Sequence, residues 1–437
     1  MVKMIFKNLW NRRRQNAWLF VELILVTILT WIMTDYVTVG MADTALPMGY
    51  DVGRLVLVDV SSLPEASPDY KAEYDSVDAN HRAVEAMMQH MRGLDGVERA
   101  AYMGSCPVIG GTSNVNTGMG IGEAIDTLVH GVNMVMFEPD TEFFETYGIK
   151  ASAGSPTAAE LSARRMSDYE IIISREYGEL FWPGENALGK RFLNEVKDGD
   201  SIFTTVTGVV EGIRWISPLR SYCAVFSNRD PWGDRKRPVS EFQVVLRLGE
   251  GVDHSDFLNA LRGNSSLRAG NFFVQTATDY VDLLYNTEEQ YGIHTERRQM
   301  MLLSAFFLLN LMLGTIGCFW LQTNRRVEEI GVLRSFGARR SQVTCMLVAE
   351  SVILTVAAFM IGALLYLQYA VRNGLADGFD ANQDSNVIDN WVRHFGMHFT
   401  IISVIVLAIL VVCVVIGTLI PAIRASRVNV SEALRDE

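Results

Sequence analysis

Cysteine is scarce in this sequence, and the short motifs of several enzyme classes are missing from it. Five cysteines among 437 residues are too few and too scattered for a disulfide framework. The seven histidines include no H-E-x-x-H motif, and no G-x-S-x-G motif supplies a nucleophile elbow. We therefore expect neither a disulfide-stabilised scaffold nor a hydrolase of these kinds, and we assign no catalytic residue and no metal ligand.

Positive charge is also in the minority. Lys and Arg number 38 against 50 Asp and Glu, and the formal net charge of −12 argues against nucleic acid as a partner. Apolar sequence, by contrast, is abundant: 49% of the residues are hydrophobic and the mean hydropathy is +0.15. This apolar content is concentrated in four blocks, which predicts a membrane protein.

The four blocks are long enough to cross a bilayer, which takes about 20 mostly apolar residues per helix. They are residues 17–39, 300–321, 343–371 and 398–423. The first block carries Glu22 and Asp35, but both acids lie near its ends. Inserting a charge at the centre of a helix costs about 2.5–3.5 kcal/mol, and the cost is lower near the ends. We therefore expect this block to insert. A cleaved signal peptide is the alternative, but the apolar stretch is too long for one.

Basic residues predict the orientation, because they accumulate in cytoplasmic segments. They cluster in the N-terminal tail (1–16), in the segment after the second span (322–342) and in the C-terminal tail (424–437). In the loop 372–397, acids outnumber bases. We expect a multi-pass protein of the cell inner membrane with both termini in the cytoplasm and the large region 40–299 outside.

The pattern of region 40–299 predicts a mixed α/β domain, because stretches of strand-like alternation and amphipathic helices follow each other there. Two strand–helix–strand units, residues 45–130 and 239–290, flank an insertion, residues 131–238. The expected fold therefore has four transmembrane α-helices, one before region 40–299 and three after it. Region 40–299 is expected to form an extracytoplasmic split βαβ-type domain that carries a smaller inserted domain. Cys106 and Cys223 lie in this region, and whether they form a disulfide stays open.

Polar side chains inside the apolar blocks are functional candidates, because they are costly in a membrane. The three candidates are Glu22, Asn310 and Glu350. Two interpretations of Glu350 remain: a structural partner of Ser304, Asn310 or a helix of another chain, or a group that handles substrate or protons. The same two apply to Glu22, which can also extend toward the basic N-terminal tail.

A stretch that fits a nucleotide-binding motif occurs at Gly184–Lys190, which matches the first seven positions of the phosphate-binding loop G-x-x-x-x-G-K. The eighth position, which must be Ser or Thr to hold magnesium, is Arg191. The stretch follows Phe181–Pro183 rather than a buried strand. We expect no nucleotide there.

The segment after the second span combines regular apolar spacing with charges of both signs. Val327, Ile330, Leu333 and Phe336 recur every three residues, which places them on one face of a helix, and Gly337 then ends the turn. From the residues alone, two interpretations remain. The helix lies on the inner leaflet, or it docks into a groove of a partner protein.

The residue pattern favours docking, because it matches a known family at seven positions of this segment. They are Arg326, Glu329, Ile330, Gly331, Arg334, Gly337 and Ala338. This pattern resembles the coupling segment of the MacB/FtsX-type ABC-transporter permeases. The C-terminal tail also resembles that family, with Val430 in the place of the usual proline. The matching tail residues are Pro421, Arg424, Arg427, Ala433 and Leu434.

This resemblance implies a permease subunit rather than an enzyme, one that transmits ATP-driven motion to its extracytoplasmic domain (mechanotransmission). Family members dimerise and pair with a cytoplasmic ATPase, which binds ATP and magnesium. Because only 16 residues precede the first span, we expect that ATPase to be a separate polypeptide and this chain to bind no cofactor. The implied ATPase-docking residues are Val327, Glu328, Glu329, Ile330, Gly331, Leu333, Arg334, Phe336, Gly337 and Ala338.

The resemblance leaves the substrate and the assembly open. Efflux of peptides or drugs, with or without a periplasmic adaptor, and handling of lipoproteins both fit it. A membrane-anchored regulator that recruits or activates a periplasmic enzyme, such as a cell-wall hydrolase, is the alternative function. A homodimer and a heterodimer with a related permease both remain open.

Overall fold

The structure is a computed structural model that describes most of the chain. The described residues are 13–103, 108–112, 115–120, 129–139, 141–197, 200–228, 237–263, 267–324, 330, 332, 335–376 and 391–426. The chain divides into two compact units. The helical unit comprises Met1–Ala42, His294–Gly378 and Asp389–Glu437, and the α/β unit comprises Asp43–Ile293 and Phe379–Ile388.

Helices and strands are numbered here in chain order. They are α1 (Arg13–Thr44), β1 (Leu55–Ser62), α2 (Val77–Arg92), β2 (Val97–Tyr102), β3 (Val115–Gly120), β4 (Val129–Met136), α3 (Phe143–Tyr147), α4 (Ala158–Ala163), β5 (Glu170–Ser174), α5 (Arg175–Phe181), β6 (Arg191–Lys197), β7 (Asp200–Val210), β8 (Ala224–Ser227), β9 (Glu241–Leu248), α6 (His254–Gly263), β10 (Arg268–Ala269), β11 (Phe272–Asp279), α7 (Tyr280–Gln290), α8 (Ile293–Asn324), α9 (Arg340–Asn373) and α10 (Phe395–Ser426).

Five strands of the α/β unit form an antiparallel sheet in the order β10-β11-β1-β9-β2. Strand β9 lies between β1 and β2, and β1 lies between β9 and β11, so the two strand–helix–strand units interleave in a split βαβ arrangement. Alternation along β1 places Val56, Val58 and Val60 in one buried core with Met87 and Met91 of α2. Helix α2 covers this face of the sheet.

The remaining six strands close into a barrel in the order β3-β4-β8-β5-β7-β6. Strands β3 and β4 pair from Val115↔Met134 to Gly120↔Val129, so the barrel includes residues on both sides of position 130, where the sequence places the start of the insertion. Pairing of β3 with β6 closes the barrel, so its sheet has no free edge strand.

The stretch that resembles a phosphate loop is a surface turn between α5 and β6. Gly184 and Gly189 adopt positive φ angles of 73° and 77°. Lys190 Nζ donates to Glu185 Oε2 at 2.6 Å. A strand follows the turn, whereas a phosphate loop is followed by a helix whose N–H groups hold the anion.

Among the described residues, three helices are long and apolar enough to cross a membrane: Ala17–Thr44, Arg340–Asn373 and Phe395–Ser426. They contain the first, third and fourth of the blocks expected from the sequence. The second block, residues 300–321, lies within α8, which is one continuous helix. That α8 crosses the membrane, and with it the count of four spans, stays a prediction.

Aromatic side chains hold α1, α9 and α10 together in the core of the helical unit. Trp31 of α1 is fully buried. Its ring lies 4.1 Å from that of Tyr366 and 5.2 Å from that of Phe399, measured between centroids. The indole Nε1 donates to Ser403 Oγ at 3.1 Å, so its one polar atom is satisfied.

Candidate functional site

The predicted coupling residues lie between α8 and α9, and the structure describes part of them. The described ones are Ile330, Phe336, Gly337 and Ala338. The others lie outside the described residues, namely Val327, Glu328, Glu329, Gly331, Leu333 and Arg334. The geometry of the site therefore comes from its second half and from the helix ends around it.

A tight turn precedes α9. Phe336 N donates to Val332 O at 3.2 Å, and Gly337 follows with a φ of +89°, a conformation that favours glycine. Arg339 N then donates to the side chain of Gln342 at 2.9 Å, which satisfies a backbone group at the beginning of α9. The chain thus leaves one helical turn and enters the next helix within a few residues.

Ile330 anchors this turn. Its side chain is only 2% exposed. It belongs to a small apolar cluster, against which Ala338 packs from the other end of the turn. The remaining buried members of that cluster are Val343 and Leu347 of α9 and Ala422 and Ala425 of α10. The turn is therefore attached to the ends of two apolar helices at once.

Phe336 points the other way, because its side chain is 86% exposed. The three-residue spacing predicts that Ile330 and Phe336 share one face. That prediction is wrong for this pair, because Ile330 is buried and Phe336 is exposed. Phe336 is the last residue before Gly337, whose positive φ ends the helical turn. The site therefore has a buried anchor and an exposed aromatic ring, and Arg339 and Arg340, three and four residues after the ring, are also exposed.

Two of the predicted tail residues are described, at the end of α10. Pro421 is buried inside the helix, where its ring removes one backbone N–H donor. The guanidinium of Arg424 lies 4.3 Å from the ring centroid of Trp320 in α8, a cation–π contact that joins the ends of the two helices. Arg427, Ala433 and Leu434 lie outside the described residues.

The three predicted intramembrane polar residues lie in three different helices: Glu22 in α1, Asn310 in α8 and Glu350 in α9. Glu22 lies against Gly314 of α8, where a side chain on the glycine would collide with the carboxylate. Asn310 Nδ2 and Ser304 Oγ each donate to the backbone carbonyl four residues earlier in α8, at 2.9 Å and 2.8 Å. Glu350 is 3% exposed. Its role stays a prediction.

One buried pair of charged groups was missed by the sequence reasoning. His398 Nε2 lies 2.5 Å from Asp35 Oδ1, and both side chains are almost fully buried. Asp35 Oδ2 accepts from Ala376 N at 3.0 Å, and His398 Nδ1 lies 3.0 Å from Val392 O. Since a carbonyl only accepts, Nδ1 carries a proton. The Nε2–Oδ1 contact then holds one further proton, and the pair is neutral as a whole.

The sequence contained a partial signal for this pair. Asp35 is visible as an acid near the end of the first block, and His394 and His398 are spaced four residues apart at the start of the fourth. Nothing in the spacing joins groups that are 363 residues apart. In the part of the chain that the structure describes, no cluster of His, Cys, Asp and Glu is arranged to hold a metal ion.

Residues 301–430, which contain the turn and the helices around it, match the FtsX-like permease C-terminal family. The macrolide export ATP-binding/permease protein MacB of Escherichia coli is 31% identical over 144 residues, 32% of this chain and 21% of that protein. Residues 301–430 of this chain are therefore similar to the C-terminal region of FtsX-like permeases. The probable syringafactin export ATP-binding/permease protein SyfD of Pseudomonas syringae pv. tomato is 22% identical over 74% of this chain and 45% of its own length.

The chain thus spans less than half of the length of these curated relatives. Among solved structures, the periplasmic region of MacB from Actinobacillus actinomycetemcomitans is similar at 11% identity with a TM-score of 0.30, covering 55% of this chain and 94% of that chain. The extracellular domain of the YknZ transporter from Gram-positive bacteria is similar at 14% identity with a TM-score of 0.26, over 50% and 100% of the two chains.

Proposed function

We propose that this chain is a permease subunit that transmits ATP-driven motion from a cytoplasmic ABC ATPase to its α/β unit on the other side of the inner membrane. The observation that carries the proposal is the opposite exposure of Ile330 and Phe336 in the turn before α9. A force on the exposed ring reaches α9 and α10 through the buried anchor. Both helices are apolar enough to cross the membrane.

The exposed side of the turn has the chemistry of a docking surface. Burying a Phe side chain instead of leaving it in water is worth about 1.5–3 kcal/mol, so the ring of Phe336 favours a partner that covers it. Val332 is 44% exposed beside it. The exposed Arg339 and Arg340 would suit an apolar groove with an acidic rim.

The ATPase is proposed to be a separate polypeptide, which would bind the ATP and magnesium. The names of the two relatives combine ATP binding with a permease, and this chain matches less than half of each. Both termini and the turn are proposed to lie in the cytoplasm, and a second permease copy or a homologue completes a dimer. The chain itself is proposed to act without catalysis.

The substrate class proposed is a peptide or drug that leaves the cell. This choice over lipoprotein handling is supported by the names of the relatives, which refer to syringafactin export and macrolide export. A periplasmic adaptor fits the same proposal. Export from cells that carry the permease, compared with cells that lack it, is the measurement that identifies the cargo.

The docking surface is tested by replacing Phe336 with Asp in the full chain and co-purifying it with candidate ATPases. Loss of the apolar contact and introduction of an acid are expected to weaken the complex at least about tenfold, equivalent to about 1.4 kcal/mol. The amount of permease in the membrane is expected to stay the same, because Phe336 is exposed.

Tyr169→Asp is the matched control, because Tyr169 is an aromatic residue 49% exposed in the α/β unit. It is expected to leave the complex intact. A second variant exchanges the charges of Glu329 and Arg334, which the family pattern places in the docking segment. Full complex formation and full ATPase stimulation in both docking variants would reject the proposed function.

A further inference from the structure

The connection between β7 and β8, residues 211–223, lies at the ends of two helices that lead to the predicted membrane spans. Helix α1 runs to Thr44, and its last two residues belong to the α/β unit. Helix α7 ends at Gln290, and α8 begins at Ile293. All of the contacts described next lie within the α/β unit.

The end of α1 is bound to this connection by two buried arginines. Arg220 Nε donates to Asp43 Oδ1 at 2.7 Å, with the two side chains 3% and 1% exposed. Arg214 is fully buried and donates to the backbone oxygens of Asp43, Leu46 and Leu219 at 2.7 Å, 2.5 Å and 2.6 Å. The carbonyl of Asp43 lies at the negative end of α1, which favours a cation there.

The backbones also meet directly just after α1. Gly49 has a φ of +83°, and a side chain on it would collide with the carbonyl of Gly212. Arg214 N donates to Met48 O at 2.9 Å. Tyr222 Oη donates to Pro47 O at 2.6 Å. The chain that leaves α1 is therefore held along the connection by backbone and side-chain contacts together.

The end of α7 is bound to the same connection. Glu288 is 5% exposed and accepts a hydrogen bond from Ser217 N at 3.1 Å and another from Ser217 Oγ. One residue earlier, Thr287 Oγ1 donates to Gly110 O at 2.8 Å. Trp215 Nε1 donates to the neighbouring carbonyl of Gly111 at 2.9 Å. Residues 109–111 are thus held between α7 and the connection.

We propose that residues 211–223 form a joint that gathers the ends of α1 and α7 and delivers their displacement to β7 and β8 of the barrel. Asp43, Arg214, Arg220 and Glu288 are the positioning residues. This inference rests on the proposed function, since it names the place where motion enters the barrel. The physical reason is burial: a buried charge cannot leave its partner without losing a desolvated contact, so the joined elements move together.

Hydrogen exchange of the full chain in lipid nanodiscs, without any ATPase, tests the joint itself. Asp43→Asn replaces the carboxylate that accepts from Arg220 by a neutral amide. It is expected to raise the exchange of amides in residues 211–223 at least tenfold and to leave α9 unchanged. Glu288→Gln is expected to do the same from the other helix. Asp51→Asn is the control, because Asp51 pairs with Arg247 in the same unit but is 48% exposed and lies outside the joint.

The complex with the ATPase tests what the joint does. In the wild type, ATP is expected to change the exchange of β8 amides. In Asp43→Asn and Glu288→Gln, this change is expected to fall at least fivefold, while complex formation and ATP hydrolysis persist. Arg220→Lys keeps the charge at the joint and is expected to restore part of the response that a neutral Arg220→Gln variant loses.

The two proposals fail in different ways. Unchanged exchange of residues 211–223 in both Asp43→Asn and Glu288→Gln overturns the joint, whatever the ATPase does. A full ATP response of β8 in both variants also overturns it. A wild-type complex in which ATP changes no amide of the α/β unit overturns the proposed function instead.

Discussion

His398 Nε2 lies 2.5 Å from Asp35 Oδ1, so a single buried contact joins the beginning of α10 to α1. The same carboxylate also accepts from Ala376 N, just after α9, at 3.0 Å. One acid therefore connects three helices of the helical unit. Removing a group from such a pair leaves its partner buried and uncompensated, at a cost of about 3–5 kcal/mol.

The first prediction concerns this pair. His398→Ala and Asp35→Ala are each expected to lower the thermal inactivation temperature of the detergent-purified chain, and the double variant is expected to lose less than the sum of the two. Asn373→Ala is the control, since Asn373 is exposed and donates to Tyr369 O within its own helix at 3.1 Å. Additive losses would show that the two side chains do not interact.

Ile330 supplies the second prediction. Truncation to Ala removes apolar atoms from a site that is 2% exposed and is expected to cost about 2–5 kcal/mol of local stability. Stimulation of the bound ATPase is expected to fall with it, because the turn loses its anchor. Val332→Ala, at a position 44% exposed, is expected to have little effect on the thermal inactivation temperature.

A pair of glycines supplies the third prediction. Gly49 and Gly184 both have positive φ angles, +83° and +73°, but only Gly49 has a backbone carbonyl where a Cβ would lie, whereas Gly184 has open space. Gly184→Ala is expected to cost only the left-handed strain of about 1 kcal/mol. Gly49→Ala is expected to prevent accumulation of folded full-length chain, measured by size-exclusion chromatography. Equal yields would contradict the close approach to Gly212.

The fourth prediction concerns pH. Burial raises the pKa of Glu176, so the folded state holds its proton to higher pH than the unfolded chain does. The contribution of Glu176 to the free energy of unfolding is therefore fully present below the usual pKa of a glutamic acid. It is lost as the pH rises through the raised pKa of the folded state. Glu176→Gln is expected to remove that decline above the usual pKa of a glutamic acid, as measured by thermal unfolding of the full chain at a series of pH values. Hydrogen bonds from Thr157 lower the pKa of Glu160, so the stability from that group is lost as the pH falls through its lowered pKa. The matched variant Glu160→Gln is therefore expected to remove a loss of stability at low pH.

The sequence alone identified the apolar helices, because burial in lipid demands long uninterrupted apolar runs. It also identified the strand–helix–strand units, whose alternation is visible in β1, and the family pattern of the coupling turn. These features are local: each depends on residues that are neighbours in the chain. The extent of the barrel was not visible, because β3 belongs to it through pairing with β4 and with β6, which lies about 70 residues later in the chain.

Only the tertiary structure decided which polar groups meet. Asp35 and His398 are 363 residues apart, Asp43 and Arg220 are 177 apart, and Glu288 and Ser217 are 71 apart. It also decided that Ile330 is an anchor while Phe336, six residues later, is exposed. The reason is physical: periodicity reports which face a residue occupies while a helix continues. Where the helix ends and which distant group fills the space beside a charge depend on the packing of the whole chain.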